Sequence, residues 1–323
     1  MAVRLGFIGT GGVAQGHMKR LSELTEVEMV AYVDVMAERA EKAAADFGGK
    51  AYTDFRAMLD AQQLDGVVVC TPPFAHGDIE LAACDLGVHL LIEKPVAISV
   101  AMAKPILAAI KTSGIATVVA YKYRWDDHVI QARNMLTDKS IGLVFGNFWG
   151  GTPGTPWWRV QDQSGGQFIE QTTHIVDMAR YLCGEVTAVQ AFEIRGLMPQ
   201  ESRDIADALT ANLQFASGAV GTISNTSILA GWGQSSLRVM ASQFSLQVAG
   251  NNLSWVGADG NGEYTCQADG YTGEDRAFVK AIMDDRSEVH ADYVEGVRSL
   301  AVSEAANLSA ARGGEPVAVA SLM

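Results

Sequence analysis

Across its first 120 residues the chain alternates short apolar runs with amphipathic stretches, and this rhythm constrains the fold more than any other feature. Residues 3 to 9 (Val-Arg-Leu-Gly-Phe-Ile-Gly) read as a buried strand, followed by a helix from about Val13 to Leu24 with apolar residues at helical spacing. Further strands are expected over Val27 to Asp34, near Ala51, and over Gly66 to Cys70, His89 to Ile92 and Ile115 to Tyr121. Between them lie helices over 36 to 47, from Asp54, around Ile79 to Leu86, and over Val100 to Lys111. Parallel strands need crossovers, and helical crossovers cover both faces of the sheet. Residues 1–122 are therefore read as an α/β domain on a parallel, doubly wound sheet.

After Tyr123 the rhythm changes. A helix (about Asp127 to Leu136), a strand (Ile141 to Trp149), a Gly/Pro/Trp loop and a strong helix (about Gln167 to Leu182) come first. Several segments with period-two alternation follow between 186 and 256, and runs such as Ala208 to Phe215 look like hairpin-linked antiparallel strands. Two helices, about 274 to 285 and 293 to 311, finish an α+β second domain, 123–323, and the last of them can pack back on the first domain. A chain of 323 residues exceeds one ordinary hydrophobic core, which suits two domains.

The net charge of -13 opposes a nucleic-acid backbone or an anionic bilayer as partner. No apolar run is long enough to cross a membrane, and the first nine residues lack a signal-peptide core and cleavage site. Cys70, Cys84, Cys183 and Cys266 form no CxxC pair, so neither a metal site nor a disulfide framework is expected. A cytoplasmic setting fits these thiols.

Gly9-Thr10-Gly11-Gly12-Val13-Ala14 matches GxGxx(G/A) between the first strand and the first helix. Glycines let the turn tighten and the backbone approach a pyrophosphate, which meets the positive end of the helix. Asp34 ends the second strand, twenty positions after Ala14, where a carboxylate accepts hydrogen bonds from the adenosine ribose hydroxyls. It would repel the extra phosphate of NADP, and Val35 follows rather than an arginine. NAD is therefore expected over NADP, with Arg39 the residue that could upset the preference. Thr71-Pro72 ends the fourth strand on the ligand side of such a sheet and joins the cofactor set beside simple turn chemistry. His76, in the same loop, is placed in that set too, although a lone histidine reads as structural by default.

Glu93-Lys94-Pro95 ends the fifth strand, again on the ligand side; Pro95 restricts the backbone of Lys94, which can project into a cleft. In the helix after Gly165-Gly166, Glu170 and His174 are four apart and His174 and Asp177 three apart, so all three share one stripe. A carboxylate beside an imidazole fixes its tautomer. Judged alone, each segment also reads as ordinary structure.

Together these motifs, with Glu295-Gly296-x-x-Ser-Leu and Gly314-Glu-Pro-Val317, resemble the glucose-fructose oxidoreductase/inositol dehydrogenase/rhizopine catabolism (Gfo/Idh/MocA) family over the whole chain. The resemblance implies a Rossmann domain followed by an open-faced, mostly antiparallel sheet, and hydride transfer between nicotinamide and a secondary alcohol carbon of a sugar, glycoside or cyclitol. It makes His174 the general base and Lys94 the donor to the same substrate oxygen, with Glu93 and Lys94 also in the cofactor set. Glu170 stands where the family commonly has Asp, and Thr172 where Gly is common, which implies a differently shaped pocket. Tyr123, Arg124, Trp157, Trp158, Arg159 and Gln171 are candidate substrate contacts, whereas Trp125 and His128 read as core. Other readings are a silent NAD-binding regulator and a reductase of a non-carbohydrate. An exposed sheet face needs covering, which leads to the expectation of a homodimer or homotetramer through the C-terminal sheet.

Overall fold

The computed structural model describes residues 2–199, 203–258 and 260–323, which fall into two compact units. The first comprises Met1–Ala97, Met102–Lys122 and Tyr271–Gly296. It contains β1 (Val3–Ile8), α1 (Gly12–Leu21), β2 (Val27–Val33), α2 (Ala37–Phe47), β3 (Lys50–Tyr52), α3 (Phe55–Ala61), β4 (Gly66–Val69), α4 (Asp78–Asp85) and β5 (His89–Ile92). Most of α5 (Val100–Ser113) and β6 (Thr117–Val119) complete the alternation. The six strands are all parallel in the order β3-β2-β1-β4-β5-β6. Val67 to Val69 and Leu90 to Ile92 are wholly buried, as expected of central strands covered on both faces.

The order reverses direction at β1, so the C-terminal ends of β1 and β4 flank the switch point where open α/β sheets take their ligands. Gly9 and Thr71 lie there.

One expectation is modified. The second unit does not begin with a single cut after residue 122, because α10 (Gly270–Ile282) and the segment after it belong almost wholly to the first unit. A Cβ on Gly66 would sit 2.7 Å from Ile282 and 2.8 Å from Phe278, so the bare glycine on β4 is what admits α10. Beyond the helix, the Val119 amide donates to Ala291 O (2.9 Å) and the Tyr293 amide to Thr117 Oγ1 (3.1 Å), which pairs the edge of β6.

The second unit comprises Ile98–Ala101, Tyr123–Gly270 and Val297–Met323. In it α6 (Asp127–Leu136), β7 (Ile141–Trp149), α7 (Gln161–Ser164), α8 (Gln167–Glu170) and α9 (Thr173–Cys183) precede β8 (Val186–Ile194), β9 (Ala208–Phe215) and β10 (Val220–Thr226). Next come β11 (Gln234–Ala241), β12 (Phe244–Ala249), β13 (Asn252–Gly257) and β14 (Gly260–Thr265), then most of α11 (Tyr293–Ala311) and β15 (Val317–Ala318). The nine strands are ordered β14-β13-β12-β11-β7-β10-β9-β8-β15, antiparallel except for the β7–β10 pair.

One face of this sheet is covered by α9: a Cβ on Gly146 would meet Ile175 at 2.7 Å, Ile223 at 3.0 Å and Leu237 at 3.1 Å. On the other face, cross-strand neighbours line up as Gln247, Arg238, Phe145, Thr222, Asn212 and Gln190.

The helix expected over 167 to 182 is two helices. Gly165 (φ +73°) and Gly166 (φ +79°) turn the chain into α8, a conformation that L side chains rarely adopt. At its end the Thr172 amide reaches back five residues to Gln167 O (2.9 Å), so α9 starts one residue out of phase.

Candidate active site

The glycine turn is shaped by a close approach. Gly9 has φ +85°, and a Cβ on it would lie 2.5 Å from the Cys70 carbonyl oxygen, so nothing larger fits between the ends of β1 and β4. Around Gly11 and Gly12 the reverse holds: a Cβ there would meet nothing within 4 Å. Gly11 caps α1 without a side-chain hydrogen bond, leaving the positive helix end to a ligand. The buried Thr71 Oγ1 has no hydrogen-bond partner among the described residues. An open cradle at a helix N-terminus, with an unsatisfied hydroxyl beside it, fits a dinucleotide pyrophosphate.

Asp34 is tied into this turn in a way its position just past β2 did not reveal. Its Oδ2 accepts from both the Thr10 amide and Thr10 Oγ1 (3.0 Å each), and its Oδ1 accepts from the Met36 amide (3.0 Å). The carboxylate thus braces the loop that it was expected only to face. Val13 and Val35 are exposed, Ala14 is buried, and Pro72 is half-buried. His76 is buried and its Nδ1 pairs with Glu80, whose other oxygen accepts from the Gly77 amide (2.6 Å). This pairing gives His76 a structural role through Nδ1.

Lys94 stands two residues beyond β5 and is half-buried. The peptide between it and Pro95 is cis. The Glu93 carboxylate accepts from the Lys94 amide (3.2 Å) and contacts His17 Nε2 (3.1 Å), a long-range partner with no signal in the sequence.

In the second unit, His174 is half-buried near the start of α9, with the Tyr123 ring edge-on to its imidazole at 5.7 Å and 80°. Tyr123 Oη also lies 3.5 Å from Ser235 Oγ. Asp177 is engaged elsewhere: Arg124 donates to both of its oxygens (2.9 and 2.8 Å), and Ser299 Oγ donates to Oδ1 (2.7 Å). This corrects the expectation for Arg124, which is a buried ion-pair partner rather than a residue exposed to substrate.

Trp158 is corrected too. It is 2% exposed, and its indole N–H donates to Glu170 Oε2 (2.7 Å), so it supports the carboxylate from within the core. Trp157 and Arg159 remain half-buried, with Arg159 donating to the Pro153 carbonyl (3.3 Å), and Gln171 accepts from Gln167 Nε2 (3.3 Å).

A parallel sheet with a dinucleotide cradle, followed by a nine-stranded sheet covered by the histidine-bearing helix, is the architecture that the sequence resemblance implied. The profile described as the oxidoreductase family, NAD-binding Rossmann fold, matches residues 3–121, and that of the GFO/IDH/MocA C-terminal domain matches 129–247. The chain belongs to the Gfo/Idh/MocA oxidoreductase family. Inositol 2-dehydrogenase of Rhizobium meliloti is 31% identical over 70% of this chain and 69% of its own length. Levoglucosan dehydrogenase of Pseudarthrobacter phenanthrenivorans is 31% identical over 58% of this chain, and the match spans only 56% of that enzyme.

Among solved structures, levoglucosan dehydrogenase in complex with NADH superposes with a TM-score of 0.86 at 24% identity, covering 99% of each chain. A putative myo-inositol dehydrogenase from Sinorhizobium meliloti gives 0.81 at 24% identity, covering 98% of this chain and 100% of the other. At that identity the likeness establishes a shared Gfo/Idh/MocA fold along the whole length. No helix among the described residues is long and apolar enough to cross a membrane.

Proposed function

We propose that this protein is an NAD(H)-dependent dehydrogenase acting on a secondary alcohol of a sugar, glycoside or cyclitol. The observation that carries the reading is that a member of this oxidoreductase family keeps both a lysine at the ligand edge of its parallel sheet and a half-buried histidine at the start of α9. Bound NAD supplies the hydride acceptor at its nicotinamide ring. His174 takes the hydroxyl proton as general base, held by the edge of Tyr123. Lys94 donates to the same oxygen and stabilises the negative charge that develops there. Asp34 accepts from the adenosine ribose and excludes a 2′-phosphate, so NAD is favoured over NADP. Trp157, Arg159, Tyr123 and Gln171 contact the substrate, and Glu170, steadied by Trp158, shapes the pocket beside His174.

Support for the substrate class comes from the relatives named as inositol and levoglucosan dehydrogenases. Self-association through the uncovered sheet face is part of the same reading, because Phe145 (47% exposed) and Val220 (51%) stand among its polar residues. Light scattering on the protein and on Phe145→Glu checks it, and a monomeric parent refutes it.

The main test mixes purified protein with NAD or NADP and a panel of inositols, pyranoses, glycosides and their keto or lactone forms, following reduced nicotinamide. Turnover of a polyol with NAD is expected. With that substrate, His174→Ala should lower kcat/KM by about 10²–10⁴-fold, and Lys94→Ala by about 10²–10³-fold. Tight NAD binding with silence across the panel would favour a non-catalytic regulator, and full turnover by Lys94→Ala would refute the mechanism.

A further inference from the structure

Behind the Glu93-Lys94 corner the first unit gathers five ionisable side chains from three elements, four of them buried and Arg20 half-buried, and the reading above uses none of them. His17 of α1 is wholly buried. Its Nε2 meets Glu93 Oε1 (3.1 Å) and its Nδ1 meets Asp275 Oδ1 of α10. Arg20, one turn along α1, donates from Nε to Asp275 Oδ2 (2.6 Å). Glu274, also on α10, is wholly buried, and neither of its carboxyl oxygens has a hydrogen-bond partner among the described residues. Cys70 follows β4 beside the group, and Tyr271 of α10 lies against the Arg20 guanidinium (5.1 Å to the ring centre) and the Lys122 ammonium (4.5 Å).

Charge decides how such a cluster can exist. An unpaired ion in the interior costs several kcal/mol, so buried charges must balance. Burial alone would push His17 down, but the Asp275 carboxylate and then Glu93 outweigh it and carry the imidazole up to about 10. Burial would raise Glu93, yet the hydrogen bond and charge of His17, with the Lys94 charge, hold it below the ordinary carboxyl range. Glu274 is driven well above that range by burial, with the Glu93 and Asp275 charges adding to the effect. His17 and Arg20 then face Glu93 and Asp275, while burial favours the protonated form of Glu274.

We propose that His17 and Asp275 are positioning residues for Lys94: they clamp the Glu93 carboxylate, which in turn holds the Lys94 amide, and they set the charge that the Lys94 ammonium feels. Asp275 orients the imidazole, as a carboxylate fixes a histidine in many sites. The imidazole fixes Glu93 Oε1, and Glu93 Oε2 accepts from the Lys94 amide (3.2 Å). The chain of contacts stays within one unit and ends on the backbone of the residue whose side chain must donate to the substrate oxygen. Its value for catalysis rests on the role given to Lys94 above; the arrangement itself does not.

The test needs no substrate. The pH dependence of acetylation at Lys94 by acetic anhydride is read by mass spectrometry in the full-length protein, with exposed Lys50 as internal reference. His17→Gln keeps the bulk but removes a positive charge near the ammonium, so the Lys94 midpoint should move up by about half to one pH unit while Lys50 stays in place. Mere loosening of the corner would speed acetylation at every pH without moving the midpoint, and that result, or a downward shift, overturns the proposal. Glu274→Gln should leave the midpoint unmoved, and a fall would mean that Glu274 is ionised and the charge balance wrong.

Should His17→Gln not fold, nitrogen NMR of labelled histidine in the unaltered protein probes the same clamp directly: a titration near the ordinary imidazole value rather than well above it refutes the clamp. Because a ring nitrogen of His17 and carboxylate oxygens of Glu93 and Glu274 lie within 4.8 Å of one another, elemental analysis is run alongside. A stoichiometric divalent metal would replace the clamp with a metal site. Full turnover by Lys94→Ala beside the expected shift would sink the catalytic reading and leave the clamp standing.

Discussion

Each unit buries an ion cluster one step from a residue assigned to catalysis, and the two clusters are built on different chemistry. In the second unit Asp177, three residues past His174, is closed off by Arg124 and Ser299, with Arg180 3.7 Å away. Arginine does not titrate in the working range, so this cluster is a fixed brace. In the first unit the cluster next to Lys94 contains an imidazole and a surplus carboxyl group, both displaced far from their ordinary values. Similar burial therefore yields rigidity in one place and pH sensitivity in the other. The deciding variable is which cation faces the carboxylate.

The largest effect should come from breaking the fixed brace. Asp177→Ala leaves Arg124 buried without its bidentate partner, and losing one member of a buried pair costs about 3–5 kcal/mol. Calorimetry should show a marked fall in Tm, and a loss under about 1 kcal/mol would mean that the pair is water-exposed in solution. A smaller effect separates the clusters by pH. Between the ordinary carboxyl value and the raised folded value of Glu274, the folded chain holds one proton more than the unfolded chain.

Stability in that window should fall as pH rises, by about 1.4 kcal/mol per pH unit. Glu274→Gln should remove this slope. His17 acts with the same sign at higher pH: its contribution is complete below about 6.5, the ordinary imidazole value, and is lost as pH rises towards about 10. Glu93, held low, loses its contribution only as pH falls below the carboxyl range. Urea titrations of the parent and Glu274→Gln across pH 5 to 9 check this, and parallel curves would dismiss the neutral acid. The smallest change is Trp158→Phe, which deletes the donor to Glu170 and should cost about 1.5–3 kcal/mol, seen as a lower urea midpoint at unchanged slope.

Much of the fold was legible because its signals are local. The apolar runs of β4 and β5, the glycine turn and the alternation of β9 report burial through periodicity, and each lies within one segment. The joining of α10 to the first unit was not legible, since it depends on Gly66 yielding space to Phe278 and Ile282 more than two hundred residues later. Nor was the break between α8 and α9, because a regular stripe in the sequence is blind to a single five-residue hydrogen bond at Thr172. Arg124 and Trp158 carried the right chemistry for a sugar site, but burial turned them to Asp177 and Glu170.

By itself the sequence determined the parallel sheet, the dinucleotide turn, the acidic end of β2 and the identity of the lysine and histidine offered for catalysis. Spacing along one chain is enough to specify these. Which carboxylate serves which cation was decided only by tertiary structure: His17 finds Asp275 and Glu93, and Asp177 finds Arg124 and Ser299. The physical reason is that a buried charge must be balanced by whatever the fold brings within about 3 Å, and sequence separation has no bearing on that distance.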